Sequence, residues 1–212
     1  MILLVGGEKG GAGKSTIGSN LAVVMAKRGI DVMLLDADPQ GTASKWMARR
    51  NDASLQAIHC AQKTGEVYAT AKDLAKRYEL VIVDAGGRDS KELRSAMVAA
   101  DMLLMPIQAS IADLETLDHM SEVISMAKAM NTALAVKAVI TRAPTNPIIT
   151  EVADARELLA DYQEIELASS IVRDRKVYRD ALLEGRGVVE MDNGKARAEI
   201  QLLANEIFGE VE

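Results

Sequence analysis

The chain has 212 residues, a net charge of −6, four prolines and one cysteine. Its length suits one α/β domain with a substantial core, while a lone thiol excludes a disulfide framework and any cysteine-built zinc or iron–sulfur site within one chain. No apolar run reaches about 18 residues, which excludes a membrane-spanning helix. No Pro/Ser/Gly-rich tract, low-complexity run or internal repeat interrupts residues 1–212, and the first residues already read as a strand. The expectation is a single cytoplasmic domain without a signal peptide.

In chain order, the apolar run Met1-Ile2-Leu3-Leu4-Val5, a strand over about 1–6, leads into Lys9-Gly10-Gly11-Ala12-Gly13-Lys14-Ser15-Thr16. A buried strand feeding a glycine-rich loop that opens a helix gathers backbone N–H groups and the positive helix end where a triphosphate sits. Gly10, Gly11 and Gly13 permit the loop geometry. Lys14 is placed to reach the β- and γ-phosphates and the Ser15 hydroxyl to coordinate Mg²⁺, the roles of a G-K-[ST] ending; the bland alternative is a glycine-rich turn. A helix over about 14–28 carries Ile17, Leu21, Val24 and Met25 at helical spacing and stops at Gly29. The strand at 31–36 ends in Asp36. Asp38, two residues on, points to the same side if the strand geometry continues, and Pro39 then turns the chain.

After a helix near 41–51, a strand at 56–61 carries Cys60, read as a packed thiol. A helix at 64–77 precedes the strand 80–84, which delivers Asp84 to its end, and Ala85-Gly86-Gly87-Arg88-Asp89 follows as a flexible stretch. Helices near 90–99, 112–130, 150–161, 174–184 and 195–207 then alternate with strands near 101–107, 134–141 and 165–171, with boundaries good to about 3 residues. This alternation predicts an α/β fold, a mostly parallel doubly wound sheet with helices on both faces. Ligands of such sheets bind at the carboxyl ends of the strands, where all three motifs lie.

Glu8 stands where a plain P-loop has its first glycine, and Lys9 adds a second cation. The segment Lys9–Thr16 resembles the deviant Walker A box, K-G-G-x-G-K-[ST]-T, of the ParA/MinD family of ATPases. Val32 to Gln40 resembles that family's D-x-D-P-Q switch, and Leu80 to Gly87 its Walker B strand. The resemblance implies a P-loop NTPase fold and ATP with Mg²⁺. It assigns Lys9, Gly10, Gly11, Ala12, Gly13, Lys14, Ser15 and Thr16 to the nucleotide, Ser15, Asp36 and Asp84 to the metal, Asp84 through water, and Asp38 to the attacking water. It also implies an ATP-sandwich homodimer in which Lys9 crosses to the partner's nucleotide while Lys14 serves its own. Many members have prolines after the Walker B aspartate, where this chain has Ala85-Gly86-Gly87, a sequence that suits a loop rearranging with the γ-phosphate. A carboxylate at a strand end also serves as a turn former or cap, the competing reading for all three aspartates.

Absences sort the family's functions. The segment Glu199 to Glu212 is amphipathic but acidic, so an anionic bilayer repels it; it reads as a docked terminal helix, and no membrane partner is expected. A single Cys60 argues against the nitrogenase iron protein and iron–sulfur carrier relatives. The last tyrosine, Tyr178, lies far from the tail cluster of bacterial tyrosine kinases, and the strand at the start leaves out the N-terminal helix-turn-helix of the larger partition ATPases. The resemblance thus implies the small ParA type: a slow ATPase whose ATP dimer binds non-specific DNA, associates with the nucleoid and positions a plasmid, chromosome region or protein cargo. A ParB-like or cargo-adaptor protein would stimulate it. A MinD-like membrane switch and a dethiobiotin synthetase-like ligase are the rivals, distinguished by liposome binding and by metabolite-dependent ATP consumption.

An acidic chain needs a local basic patch to bind DNA. Arg173, Arg175, Lys176 and Arg179 form the candidate, with a helical reading setting Arg175 and Lys176 beside Arg179 and with Arg186, Lys195 and Arg197 extending it. A solvated face whose charges pair with Asp174 and Asp180 is the alternative. His59 and His119 read as structural or surface residues. Met120, Met126 and Met130, with Leu114, Leu117 and Ile124, read as core filling or as an adaptable contact surface, and Trp46 as core.

Overall fold

The computed structural model describes residues 1–87, 89–109, 116–146 and 151–210. Seven parallel strands form one sheet: β1 (Ile2–Val5), β2 (Val32–Asp36), β3 (His59–Gln62), β4 (Leu80–Asp84), β5 (Met102–Gln108), β6 (Ala135–Ala143) and β7 (Glu166–Arg173), in the order β3-β2-β4-β1-β5-β6-β7. Every residue of β1, β2 and β4 is buried, the continuous apolar run expected of strands covered on both faces. Among the described residues eight α-helices cover the sheet: α1 (Lys14–Lys27), α2 (Thr42–Asp52), α3 (Tyr68–Leu74), α4 (Lys91–Ala99), α5 (Leu117–Met130), α6 (Glu151–Leu159), α7 (Lys176–Leu183) and α8 (Gly194–Phe208).

The period-2 alternation of strand side chains sorts the core into two layers. Leu4, Leu35 and Val83 pack with Leu74 of α3, Leu93 of α4, Ile124 of α5 and Leu159 of α6, whereas Leu3, Val5, Leu34 and Ile82 meet Leu21 of α1, Trp46 of α2, Ala181 of α7 and Leu203 of α8. The pairings Val5↔Asp84 and Asp36↔Asp84 bring the carboxyl ends of β1, β2 and β4 to one level.

Some boundaries differ from those the sequence suggests. Strand pairing in β3 starts only at His59, opposite Met33, because the preceding Gln56 side chain and Leu55 amide are spent on Ala26 and Arg50. The helix expected at 64–77 contracts to Tyr68–Leu74, since Gly65 turns at φ +78° and the Val67 amide bonds the Ser95 hydroxyl. Of the predicted helix 112–130, residues 112–115 with Leu114 lie outside the described residues, as do Thr150 and Arg88. Met120, Leu117 and Ile124 are core, but Met126 and Met130 are 59% and 76% exposed, so they do not fill it. Cys60 is half-buried rather than fully packed.

Two polar clusters fasten the C-terminal third. Arg50, fully buried on α2, forks onto Glu190 at 2.8 and 2.9 Å, donates to the Gln56 and Gly185 carbonyls, and lies over the Trp46 ring. Glu206 of α8 accepts from the amides and hydroxyls of Ser169 and Ser170; burial alone would raise its pKa, but these bonds lower it to about 2. The acidic terminal helix is thus docked, burying Ile200, Leu203 and Ala204. Among the described residues no helix is long and apolar enough to cross a membrane.

Candidate nucleotide site

The glycine-rich loop joins β1 to α1. Gly11 and Gly13 sit at φ +81° and +93°, conformations that side chains resist, and no side chain caps the first turn of α1. Its N–H groups therefore remain available to an anion. Lys14 is buried and its Nζ reaches the Lys9 carbonyl at 2.5 Å, folding the cation back over the loop. A cleft of about 750 Å³ opens above, lined by Gly10, Gly13, Lys14, Ser15, Thr16 and Asp38 among others. Ala12 is buried beneath the loop. Lys9 is half-buried on the other side, where it lines a small hollow with Pro106 and Leu117, and its ammonium makes no bond to any described residue.

The aspartates differ in their surroundings. Both oxygens of buried Asp36 are engaged, by the Asp38 amide at 3.2 Å and the Ser44 amide at 2.7 Å, so Asp36 also builds the turn into α2. Asp38 is half-buried at the cleft and accepts from the Gln40 amide. Asp84 is buried, and neither of its oxygens has a hydrogen-bond partner among the described residues. Burial pushes its carboxyl up from 3.8 to about 7; neighbouring Ser15 and Lys14 counteract this, and Asp36 and Asp38 add to it. Ser15 lies close to Asp84 without the geometry of a formed bond. An orphaned, deeply buried carboxylate beside a hydroxyl and a phosphate loop suits a hard divalent cation that takes its remaining ligands from water and phosphate.

The loop after β4 closes against this site. A Cβ on Gly87 would lie 2.7 Å from the Gly10 amide nitrogen and the Lys9 carbonyl, and one on Gly86 would lie 3.3 Å from the Asp38 carboxyl carbon. Glycine at 87 is thus required by close approach to backbone, whereas a side chain at 86 would need the half-buried Asp38 carboxylate to shift by a few tenths of an ångström. His119 of α5 adds a tie that sequence reading missed: it meets Glu8 at 3.0 Å and Asp89 at 3.9 Å, linking the phosphate loop's flank to the loop after β4. Thr141 and Arg142 at the end of β6 were likewise not singled out; their side chains bond the Ala12 and Gly11 carbonyls. No local pattern distinguishes them, since their partners lie some 130 residues away.

The basic cluster is paired throughout. Arg173 donates to the Pro144 carbonyl, Arg175 bonds Glu199 through two nitrogens, Lys176 meets Asp180, and Arg179 meets Asp174. Arg175 does not stand on the helix face beside Arg179. It is the extended residue preceding α7, and its side chain turns to α8 because Glu199 satisfies it there. Lys176 and Arg179 remain 80% and 59% exposed.

A parallel sheet whose first strand feeds a glycine-rich loop at the positive end of α1, with carboxylates at the ends of the adjacent β4 and of β2 beyond it, defines a P-loop nucleotide-binding protein. Residues 3–186 match the family described as CobQ/CobB/MinD/ParA nucleotide binding domain, and the chain belongs to it. It is 32% identical to the maintenance of carboxysome distribution protein A of Gloeobacter kilaueensis over 190 residues, covering 89% of this chain and 84% of the relative. It is 29% identical to the protein of the same name from Halothiobacillus neapolitanus over 212 residues, covering 97% and 95%. A solved ATP complex of a Cyanothece McdA variant covers all of this chain and 97% of its own, with a TM-score of 0.80 at 17% identity, a likeness of fold.

Proposed function

We propose that this chain is a ParA-like positioning ATPase that dimerises around Mg-ATP, binds DNA without sequence preference in that state, and distributes a cargo. The observation that carries the reading is a cleft at the strand ends lined by Lys14, Ser15 and Asp38, with the orphaned Asp84 carboxylate buried next to Ser15 and Lys14. The names of the two relatives favour a protein assembly as cargo over a plasmid.

In this reading the loop amides of Gly10 to Thr16 and the Lys14 ammonium neutralise phosphate charge, and Lys14 exchanges the Lys9 carbonyl for phosphate oxygens. Ser15, Asp36 and Asp84 would hold Mg²⁺, Asp84 through water. Bound Mg²⁺ supplies charge neutralisation at the β- and γ-oxygens. Asp38, half-exposed at the cleft, orients the attacking water. Lys9, which bonds no described residue through its ammonium, serves the partner's nucleotide across the homodimer. Lys176 and Arg179 offer DNA contacts, because exposed ion pairs are weak enough to exchange a carboxylate for a phosphate; Arg173 and Arg175 support them from the rim. A ParB-like or cargo-adaptor protein would stimulate hydrolysis and release the dimer from the nucleoid.

The experiment is anisotropy of a random-sequence DNA duplex at one fixed moderate salt, with ATP, ADP or no nucleotide. Binding confined to ATP, lost in Lys9→Gln, supports the reading. ATP binding with no DNA binding in any state refutes the DNA-gated cycle.

A further inference from the structure

Arg142 adopts φ +52°, one of two non-glycine residues with positive φ among those described. A long side chain rarely holds this conformation unless its neighbours maintain it. It falls where the β6–β7 register shifts between Ile140 and Ala143, and from there the side chain reaches the phosphate loop. Arg142 Nη1 donates to the Gly11 carbonyl at 3.1 Å, and the hydroxyl of the preceding buried Thr141 donates to the Ala12 carbonyl at 2.7 Å. Two successive residues of β6 therefore hold two successive carbonyls of the loop.

In a trans peptide the N–H points opposite the C=O. Holding the Gly11 and Ala12 carbonyls on the β6 side consequently turns the Ala12 and Gly13 amides the other way, toward the concave side of the loop. Without this grip the glycine peptides on either side of Ala12 have wide freedom to flip. A cavity of about 190 Å³ opens beside the grip, bounded by Thr16 and Ile17 of α1 and Tyr178 of α7, so the same guanidinium also walls the space next to the loop.

We infer that Arg142 is a positioning residue for nucleotide binding, its left-handed backbone retained because it places the guanidinium on the Gly11 carbonyl and so presets the loop amides for phosphate. This rests on the nucleotide reading above. The test measures the Kd of a fluorescent ATP analogue with Mg²⁺, and the Tm without nucleotide, for wild type, Lys14→Gln and three Arg142 variants. Asn and Gly both enter the left-handed region readily. Arg142→Asn and Arg142→Gly are therefore expected to melt no lower than wild type yet bind about tenfold more weakly, the worth of one charge-assisted hydrogen bond. Arg142→Lys, which keeps a donating cation, regains most of the affinity. Unchanged Kd in the Asn and Gly variants beside a Lys14→Gln that no longer binds overturns the positioning role alone, as does an affinity loss that appears only with a fall in Tm. A wild type that fails to bind the analogue overturns the nucleotide reading and this inference with it.

Discussion

Replacing Asp84 with asparagine should stabilise the metal-free protein while removing Mg-dependent nucleotide binding. The side chain is buried, and neither oxygen has a hydrogen-bond partner among the described residues. Burial raises its pKa from 3.8 to about 7, so between those values the unfolded chain has released a proton that the folded chain keeps. Stability of the metal-free protein therefore falls as pH rises from about 4 to 7 and levels off above. A rise of that size corresponds to about 4 kcal/mol at most, and water entering the site reduces it to about 2–4 kcal/mol. For a chain of this length that predicts a Tm gain of about 5–15 °C for Asp84→Asn at pH 8 in EDTA, and a smaller one at pH 5. Thermal melts at both pH values, with ATP-analogue binding in the presence and absence of Mg²⁺, measure it. A variant that melts at or below wild type at pH 8 without metal would refute the claim that this carboxylate is held at a cost for a cation.

Gly87→Ala puts a methyl 2.7 Å from backbone atoms that cannot yield, so the loop after β4 must lift from the phosphate loop. Hydrogen exchange should accelerate at both loops with a stability loss of about 1–3 kcal/mol; unaltered exchange would contradict the close approach. His119 should titrate above 6.5, because its hydrogen bond to Glu8 and the nearby Asp89 favour the imidazolium, and Glu8→Gln should bring it back down. The stabilising tie exists below that midpoint and fades as pH rises through it. An NMR midpoint at or below 6.5 in the wild type would show that the contact does not form. Glu190→Gln strands the fully buried Arg50 guanidinium, and chemical denaturation should register about 3–5 kcal/mol; a loss under about 1 kcal/mol would mean that the carbonyls of Gln56 and Gly185 suffice.

Much of the architecture is readable along the chain because strands covered on both faces must be continuously apolar and the helices between them amphipathic. Met1 to Val5, Val32 to Leu35 and Leu80 to Val83 meet that requirement, and each hands a loop or a carboxylate to the same sheet edge. The glycine-lysine-serine loop is legible for a similar reason: phosphate binding needs backbone geometry that only a few residue types permit, at fixed spacing. Exposure on α5 is another matter, since helical spacing assigns Met126 and Met130 to a face without saying whether anything covers it. The basic stretch at 173–179 reads as a helical stripe, yet one residue of helix onset decides whether Arg175 joins Arg179 or turns to Glu199.

By itself, then, the sequence determined the parallel α/β order, the phosphate loop and the aspartates at the strand ends, all set by local periodicity and steric permission. Only the tertiary structure decided that Asp84 is left without a hydrogen-bond partner among the described residues while Asp36 is engaged, that Arg142 and Thr141 grip the loop from β6, and that His119 ties Glu8 to Asp89. The reason is physical: hydrogen bonding and charge compensation depend on which groups the fold brings within about 3 Å, and residues some 110 to 130 positions apart carry no local trace of that meeting.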